Sequence, residues 1–181
     1  MILADFEIRA LCEPGGEALL RDSAPGMVTP FDPALLNPSS LDLLLGETLL
    51  IESAESPELV PFPIADCTKE NPYLLKPGQF VLAETRETFY LPDRIAGQFV
   101  LKSSRAREGL EHLMAGYCDP GWSGSRLTLE LVNSRQLHPI PLYPGLKIGQ
   151  MVFHQMAQVP LRTYKVTGRY NGDQGVTASK G

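Results

Sequence analysis

The sequence has few cysteine and histidine residues, and neither type occurs at a metal-binding spacing. The cysteines form no CxxC pair and the histidines form no HxxxH or HxE pattern; these residues are Cys12, Cys67, Cys118, His112, His138 and His154. An odd number of widely separated cysteines argues against a disulfide framework. Zinc sites need several His or Cys ligands at short spacings. We therefore expect neither disulfides nor a zinc site.

Long apolar segments and an excess of basic residues are also missing. No apolar run approaches the length needed to span a membrane, and no signal peptide opens the chain, so we expect a cytoplasmic protein without a membrane partner. The net charge of −5 argues against a general nucleic-acid binder, which usually has a basic balance. A small phosphorylated ligand remains compatible, because a few local Arg and Lys residues suffice to bind it.

The composition favours short strands over long helices. Sixteen glycines and sixteen prolines fall between short apolar runs in a chain of 181 residues, which is long enough for one domain over 1–181. Apolar residues at helical spacing predict one helix over Met1 to Leu11, ended by Pro14-Gly15-Gly16. The prediction is therefore an all-β domain with a short N-terminal helix.

The stretch from Leu101 to Asn133 concentrates the residues suited to chemistry. It opens with hydroxyl and cationic side chains at Lys102, Ser103, Ser104, Arg105 and Arg107. Such groups suit a polyanion such as a triphosphate. A glycine-punctuated segment with Asp119 follows, and it leads into a strand.

That strand alternates between apolar and polar residues. Leu127, Leu129 and Leu131 would face the core, while Arg126, Thr128 and Glu130 would face the other way. A carboxylate on the polar face of a strand usually lies in water. Because Glu130 shares its stretch with a phosphate-binding run and a second acid, a functional site is the alternative to a solvated side chain.

Four further segments add scaffold predictions. Ser40 and Asp42 alternate with leucines, which favours a buried polar pair that links a strand to its neighbour. The stretch 49–71 is predicted as a surface excursion, and 73–99 as two strands whose acids face outward. Gln150 would be a polar group on an apolar face of the strand 147–153, where a ligand contact and a structural hydrogen bond remain equal alternatives.

Several short motifs, taken in order, resemble the dCTP deaminase branch of the dUTPase superfamily. The family patterns are P-F-D-P-x-x-[IVL]-x-P-[SA]-S-[VIL]-D-[LV]-x-[LV]-G, L-x-P-G-[EQ]-F-x-L-A-x-T-x-E, K/R-S-S-x-x-R-x-G, A-G-x-x-D-P-G-[FWY]-x-G and [VT]-L-E. This chain has PFDPALLNPSSLDLLLG, LKPGQFVLAETRE, KSSRAREG, AGYCDPGWSG and TLE in the same order. The resemblance covers nearly the whole chain, and the order and spacing make it specific.

The resemblance implies a fold, an assembly and a mobile segment. The fold would be a distorted jelly-roll-like β-barrel, as in dUTPases, assembled as a homotrimer with its sites at subunit junctions. Residues 164–181 would form a C-terminal lid that closes over the nucleotide. Mg²⁺ would be bound through the triphosphate, and the protein itself would hold no metal.

The resemblance also implies roles for individual residues. Glu130 would deprotonate the attacking water and protonate the cytosine ring in a zinc-independent hydrolysis of dCTP to dUTP and ammonia, which would supply dTTP synthesis. Desolvation of a carboxylate favours such a role, because it raises the pKa of an acid. The hydroxyl of Ser103 and the backbone carbonyl of Ala115 would hold the water, and Arg107 would stabilise the developing charge. Substrate contacts would come from Lys102, Ser103, Ser104, Arg107, Asp119, Thr128, Leu129, Gln150, Tyr164 and Arg169.

Two departures from the family pattern bear on this reading. The chain is one residue short between Gly109 and Ala115 and one residue long between Gly124 and Glu130, so the segment with Asp119 could carry a bulge. In the lid, Asp173 stands where a glutamine is usual. An anion there could repel a phosphate or contact the sugar.

Two alternatives to a simple deaminase stay open. The Ala115–Asp119 segment and Gln150 look more like the bifunctional enzymes that continue to dUMP and pyrophosphate, for which dUTP is a possible further substrate. The second alternative is a catalytically silent nucleotide-binding trimer. The glutamate at position 130 argues against it, whereas Asp173 supports it.

Overall fold

The structure is a computed structural model, and it describes residues 1–13 and 26–181. The predicted helix end at Pro14-Gly15-Gly16 lies outside the described residues. Within them, no helix is long and apolar enough to cross a membrane.

Strands dominate the described chain, as the composition predicts. The helices are α1 (Asp5–Cys12), α2 (Ser103–Arg107) and α3 (Tyr164–Thr167). The strands are β1 (Val28–Thr29), β2 (Leu36–Asn37), β3 (Ser40–Ser53), β4 (Ser56–Pro63), β5 (Tyr73–Leu75), β6 (Phe80–Tyr90), β7 (Ile95–Leu101), β8 (Leu110–His112), β9 (Tyr117–Cys118), β10 (Ser123–Asn133), β11 (Ile140–Leu142) and β12 (Lys147–Gln155).

Ten of these strands form one sheet that curls around the core, and β5 and β11 form a small second sheet. The main path runs β8-β10-β6-β3-β12-β7-β9, with β1 paired to β6, and β2 and β4 paired to β3. All the pairs are antiparallel, so the fold is all-β. The curled, barrel-like sheet confirms the predicted fold class.

The N-terminal helix is confirmed, but it begins later than the apolar spacing suggests. Ile2 forms a β-bridge with His154 on β12, and the Leu3 amide donates to the Phe153 carbonyl. These sheet contacts hold the first residues extended, so α1 starts at Asp5. The carboxylate of Glu7 accepts from the Ala4 amide at 2.8 Å and satisfies one free N–H at the helix start.

The segment 49–71 is not a plain surface excursion. Strand β3 continues to Ser53, and β4 pairs back along it from Ser56 to Pro63. Strand β4 is an edge strand with three prolines and Glu58, and at an edge a missing N–H or a charged side chain costs little.

The prediction that the acids of 73–99 face outward is wrong for two residues. Glu84 and Glu87 on β6 are only 3% and 1% exposed. Glu84 pairs with Arg126 on β10 at 3.1 Å, and the Glu87 carboxylate accepts from the Leu44 amide at 3.1 Å. Burial raises the pKa of Glu87 to about 7, even though the Leu44 amide and other donors oppose the shift.

Strand β10 has the predicted alternation. Leu127, Leu129 and Leu131 are buried, while Arg126, Thr128 and Glu130 are half-buried. The pairing of β10 with β6 shifts register between Ser123 and Ser125 and again between Arg126 and Thr128. Gly124 is the residue without a partner at the first shift, and its φ of +69° suits glycine. The irregularity expected near the Asp119 segment is therefore present.

Candidate functional site

A pocket of about 530 Å³ lies between the polar face of β10 and the C-terminal tail. This volume is in the range of sites for small molecules. The pocket is lined by Leu59, Phe80, Leu82, Ala115, Tyr117, Cys118, Asp119, Trp122, Arg126, Leu127, Thr128, Glu130, Tyr164, Tyr170, Asp173, Thr177, Ala178 and Ser179. Five residues predicted from the sequence thus meet in one place: Ala115, Asp119, Thr128, Glu130 and Tyr164.

Glu130 combines burial with an incomplete set of contacts. Its side chain is 25% exposed, and its Oε2 lies 3.3 Å from Nε2 of His112 on β8. Neither of these two atoms makes a hydrogen bond with good geometry, although both are buried. The imidazole of His112 packs on the ring of Phe99 with ring centroids 4.7 Å apart, and this contact fixes the imidazole beside the carboxylate. Glu130 is therefore held on one side and open to the pocket on the other.

The turn between β8 and β9 brings Ala115 to the pocket. Met114 adopts φ of +60°, a conformation that is uncommon for a residue with a side chain. The next residue but one, Gly116, has room for no side chain, because a Cβ would lie 2.6 Å from Phe99. This tight turn presents Ala115 to the pocket and leads into β9 and Asp119.

Aromatic residues form the end of the pocket near Asp119. Trp122 is 5% exposed and stacks on Phe89 with ring centroids 5.4 Å apart. Its indole N–H donates to the Tyr170 carbonyl at 3.0 Å, which attaches the tail to the barrel. Burial raises the pKa of Tyr164, another aromatic residue of the lining, and the nearby carboxylate of Asp119 adds to that shift.

The tail lies along β10 and covers the pocket. Ser125 donates to the Tyr170 carbonyl at 2.9 Å, and its hydroxyl accepts from the Gly172 amide. The amide of Thr177 donates to the Thr128 hydroxyl at 3.1 Å. These contacts attach residues 170–177 to β10 between Ser125 and Thr128, and the tail forms one wall of the pocket that Glu130 also lines.

The charge of Asp173 is balanced within the tail. Both carboxylate oxygens lie 2.8 Å from Nζ of Lys180, which also donates to the Arg169 carbonyl. The same ammonium lies 5.0 Å from the ring centre of Tyr170. Asp173 therefore does not present an unpaired negative charge to the pocket.

The hydroxyl and cationic run of α2 lies outside this pocket. The side chains of Ser103, Ser104 and Arg107 are exposed and do not line it. Lys102 binds Asp42 on β3 at 2.5 Å. A single described chain therefore brings Glu130, Ala115 and Asp119 together but leaves the predicted water-holding serine and the arginine elsewhere.

Three other predicted contacts have different positions. Leu129 is fully buried, so only its backbone could reach a ligand. Gln150 accepts from the Ser40 hydroxyl at 3.0 Å and does not line the pocket, which favours its structural alternative. Arg169 is exposed and also lies outside the lining.

Ser40 and Asp42 form the predicted polar link between strands. Ser40 bonds to Gln150 on β12, and Asp42 accepts from Asn37 at 2.8 Å and lies 3.3 Å from Lys147 on β12. Burial alone would raise the pKa of Asp42, but the hydrogen bonds from Lys102, Asn37 and Lys147 outweigh it and lower the pKa. The polar side chains of Ser40 and Asp42 therefore have hydrogen-bond or ion-pair partners, and we call this cluster saturated.

Sequence reasoning assigned no role to four pocket residues or neighbours. They are His112, Trp122, Arg126 and Tyr170. The alternation of β10 places Arg126 on the same face as Glu130, so its place in the pocket could have been predicted from the sequence. His112 could not have been predicted in this way, because its contact with Glu130 depends on the pairing of β8 with β10.

Among the described residues, no cluster of His, Cys, Asp and Glu could hold a metal ion.

Comparison with known proteins identifies a family. A family model described as dCTP deaminase-like matches residues 15–156. The "dCTP deaminase, dUMP-forming" of Nocardioides sp. is 38% identical over 192 residues, covering 99% of this chain and 95% of that protein. The protein with the same name in Corynebacterium efficiens is 36% identical, covering 100% of this chain and 94% of its own length.

Among solved structures, the 2′-deoxycytidine 5′-triphosphate deaminase from Agrobacterium tumefaciens shares this fold. It superposes with a TM-score of 0.63 at 24% identity, covering 85% of this chain and 48% of that chain.

Proposed function

Because the chain belongs to the dCTP deaminase-like family, we propose that it hydrolyses dCTP to dUMP, pyrophosphate and ammonia. Both relatives named above are dUMP-forming, and this favours the bifunctional alternative over release of dUTP. Two water molecules are consumed, one at C4 of the cytosine ring and one at the α-phosphorus.

The observation that carries the proposal is the position of Glu130. Its carboxylate faces a pocket of nucleotide size, beside Ala115, Asp119 and Thr128. One carboxylate oxygen is directed at His112, and the side chain is only one-quarter exposed. A partly desolvated carboxylate with one side open to the pocket is suited to exchange protons with a bound substrate.

In the deamination step, Glu130 would take a proton from a water molecule and deliver it to N3 of the ring. The water oxygen attacks C4, and the amino group leaves as ammonia after a second proton transfer. The Ala115 carbonyl, presented by the turn at Met114, would accept a hydrogen bond from the same water. Asp119 would accept from the sugar 3′-hydroxyl, in a space too small for a 2′-hydroxyl.

The site would be completed by a neighbouring subunit. Ser103 and Arg107 are exposed on α2 and lie outside the pocket lining of their own chain, so they remain free to enter the pocket of another copy. We place Ser103 against the attacking water and Arg107 against the developing charge. A homotrimer with three shared sites satisfies both placements.

The phosphate end would be bound by cationic and hydroxyl groups from α2 and the tail. Ser104 and Arg169 are exposed and available, whereas the ammonium of Lys102 is already paired with Asp42. Mg²⁺ would enter with the triphosphate. Closure of the tail would exclude water from the reacting groups.

Product analysis distinguishes the alternatives. Purified protein incubated with dCTP and Mg²⁺ should release ammonia and pyrophosphate in equal amounts, with dUMP as the only nucleotide product by ³¹P NMR. Accumulation of dUTP without pyrophosphate would indicate the simple deaminase. Nucleotide binding without any product would contradict an enzyme and support the silent trimer.

A further inference from the structure

Arg126 is the only Lys or Arg that lines the pocket within residues 1–13 and 26–181. It lies on the same face of β10 as Thr128 and Glu130, and none of the family patterns above specifies its position. A polyanionic nucleotide that enters this pocket meets the carboxylates of Asp119 and Glu130, whereas that of Asp173 is paired with Lys180. Arg126 places a fixed cation beside these carboxylates.

The guanidinium of Arg126 is held in place by a buried partner. Its Nη1 lies 3.1 Å from Oε1 of Glu84, whose side chain is 3% exposed. Glu84 is packed tightly, since a Cβ at Gly46 would lie 2.5 Å from its Cγ. Removing one member of such a pair is costly, because it leaves the other charge buried without compensation.

One nitrogen of the guanidinium has no partner in the described part of the chain. The Nε of Arg126 is buried and has no hydrogen-bond partner among the described residues. A buried donor without an acceptor costs free energy, and the Nε edge of a guanidinium matches two oxygens of a phosphate. Glu84 occupies Nη1, and Nε is left without an acceptor from the described residues.

The distance along the strand suits the phosphate end of a nucleotide. Arg126 precedes Glu130 by four residues, so their backbones are separated by up to roughly 13 Å along an extended strand. The Arg126 amide donates to the Asp173 carbonyl at 2.8 Å, which places the tail directly over it. If the base lies at Glu130, the phosphates can extend toward Arg126 and the tail.

We propose that Arg126, which lines the pocket, turns its unpartnered Nε toward a phosphate group of the nucleotide and binds it, and that Glu84 holds the guanidinium for this contact. The contact adds to those expected from α2 and the tail, and it rests on the proposed function for the identity of the nucleotide. A purely structural cross-strand ion pair between β6 and β10 is the competing account.

Inorganic triphosphate and deoxycytidine are probes that separate these accounts. In the Arg126→Met variant, the Kd for inorganic triphosphate should rise by about tenfold to a hundredfold, while deoxycytidine binding should change less than about twofold. Equal binding of triphosphate by wild type and variant, measured by calorimetry, would overturn the proposal.

A double variant provides the matched control. Glu84→Met combined with Arg126→Met removes both charges and so avoids an unpaired buried carboxylate. If Arg126 contacts phosphate, the double variant should bind triphosphate as weakly as Arg126→Met. Recovery of wild-type binding would show that the single variant acted through the structure and would overturn the proposal.

A third variant covers the case in which Arg126→Met does not fold. Arg126→Lys keeps a charge for Glu84 but lacks the planar fork, so weakened triphosphate binding supports the contact and unchanged binding contradicts it. Because triphosphate binding needs no turnover, these outcomes hold even if wild-type protein converts no dCTP. In that case the proposed function fails separately.

Discussion

Two polar clusters in this chain use similar residue types but differ in how completely their hydrogen bonds are made. Around Asp42, the carboxylate has cationic and amide partners, and Ser40 bonds to Gln150. In the pocket, Oε2 of Glu130 and Nε of Arg126 are buried without a hydrogen-bond partner among the described residues. A saturated cluster stabilises the fold, whereas an unsaturated one at a cavity can accept a ligand.

The largest effect is expected from Glu130→Gln in the unsaturated cluster. The amide fills the same volume but cannot take a proton from water, so the deamination rate should fall by about 10²–10⁴. The Kd for dCTP should stay close to that of wild type. Rates of ammonia release and calorimetric titration measure the two quantities. Turnover at the wild-type rate would remove Glu130 from the catalytic role.

Removal of residues 169–181 tests how the pocket is covered. The strands and α3 stay intact, so the protein should still fold, but the rate should fall by about a hundredfold because the reacting groups are no longer shielded and positioned. Circular dichroism checks the fold, and steady-state kinetics with dCTP checks the rate. Full activity in the truncated protein would show that the tail is no lid.

Glu87, buried on β6 and outside the pocket lining, provides a test in the scaffold. Its folded-state pKa is about 7 against a usual value of 4.5, so the folded state binds more protons between these values. The free energy of unfolding of the wild type should therefore fall as pH rises through this window, by about 2–3 kcal/mol.

Glu87→Gln should lack most of that slope, because the amide does not ionise but can still accept from the Leu44 amide. Urea unfolding at a series of pH values, at fixed protein concentration, compares the two proteins. Parallel pH dependence in wild type and variant would mean that Glu87 is not protonated in the folded state.

Asp42→Asn is the smallest change and the counterpart of Glu130→Gln in the saturated cluster. The pKa of Asp42 is lowered, so its ion pairs stabilise the fold above the usual value of 3.8 and are lost as pH falls below it. At pH 7 the variant should lose about 1–2 kcal/mol of stability, with less than tenfold effect on the rate. A large loss of rate with unchanged stability would reverse the distinction between the clusters.

The composition allowed the all-β fold to be predicted, and the periodicity of β10 predicted the orientation of two pocket residues. Alternation along 126–131 places Glu130 and Thr128 opposite the buried leucines, and the turn residues identify a chain of short strands. The buried Glu84 could not be predicted in this way, because a charged residue in a strand looks solvated until its partner on another strand is known. The same holds for His112 beside Glu130.

The individual contacts of the basic run could not be predicted from the sequence either. Lys102 and Ser103 are neighbours with the same predicted ligand, yet Lys102 is paired with Asp42 while Ser103 is exposed. The difference depends on the approach of β3 to the end of β7, which is a long-range contact. The proposed approach of the exposed members of α2 to Glu130 of another copy is a matter of assembly, and no local pattern encodes that geometry.

The sharing of the site between subunits is tested most directly with hybrid trimers of Glu130→Gln and Arg107→Ala chains. Each variant alone should be inactive. If Glu130 and Arg107 act across a subunit junction, every mixed ring contains one site with both residues intact, so hybrids purified through two different tags should show about one third of wild-type activity. Hybrids as inactive as their parents would contradict a site built from two chains.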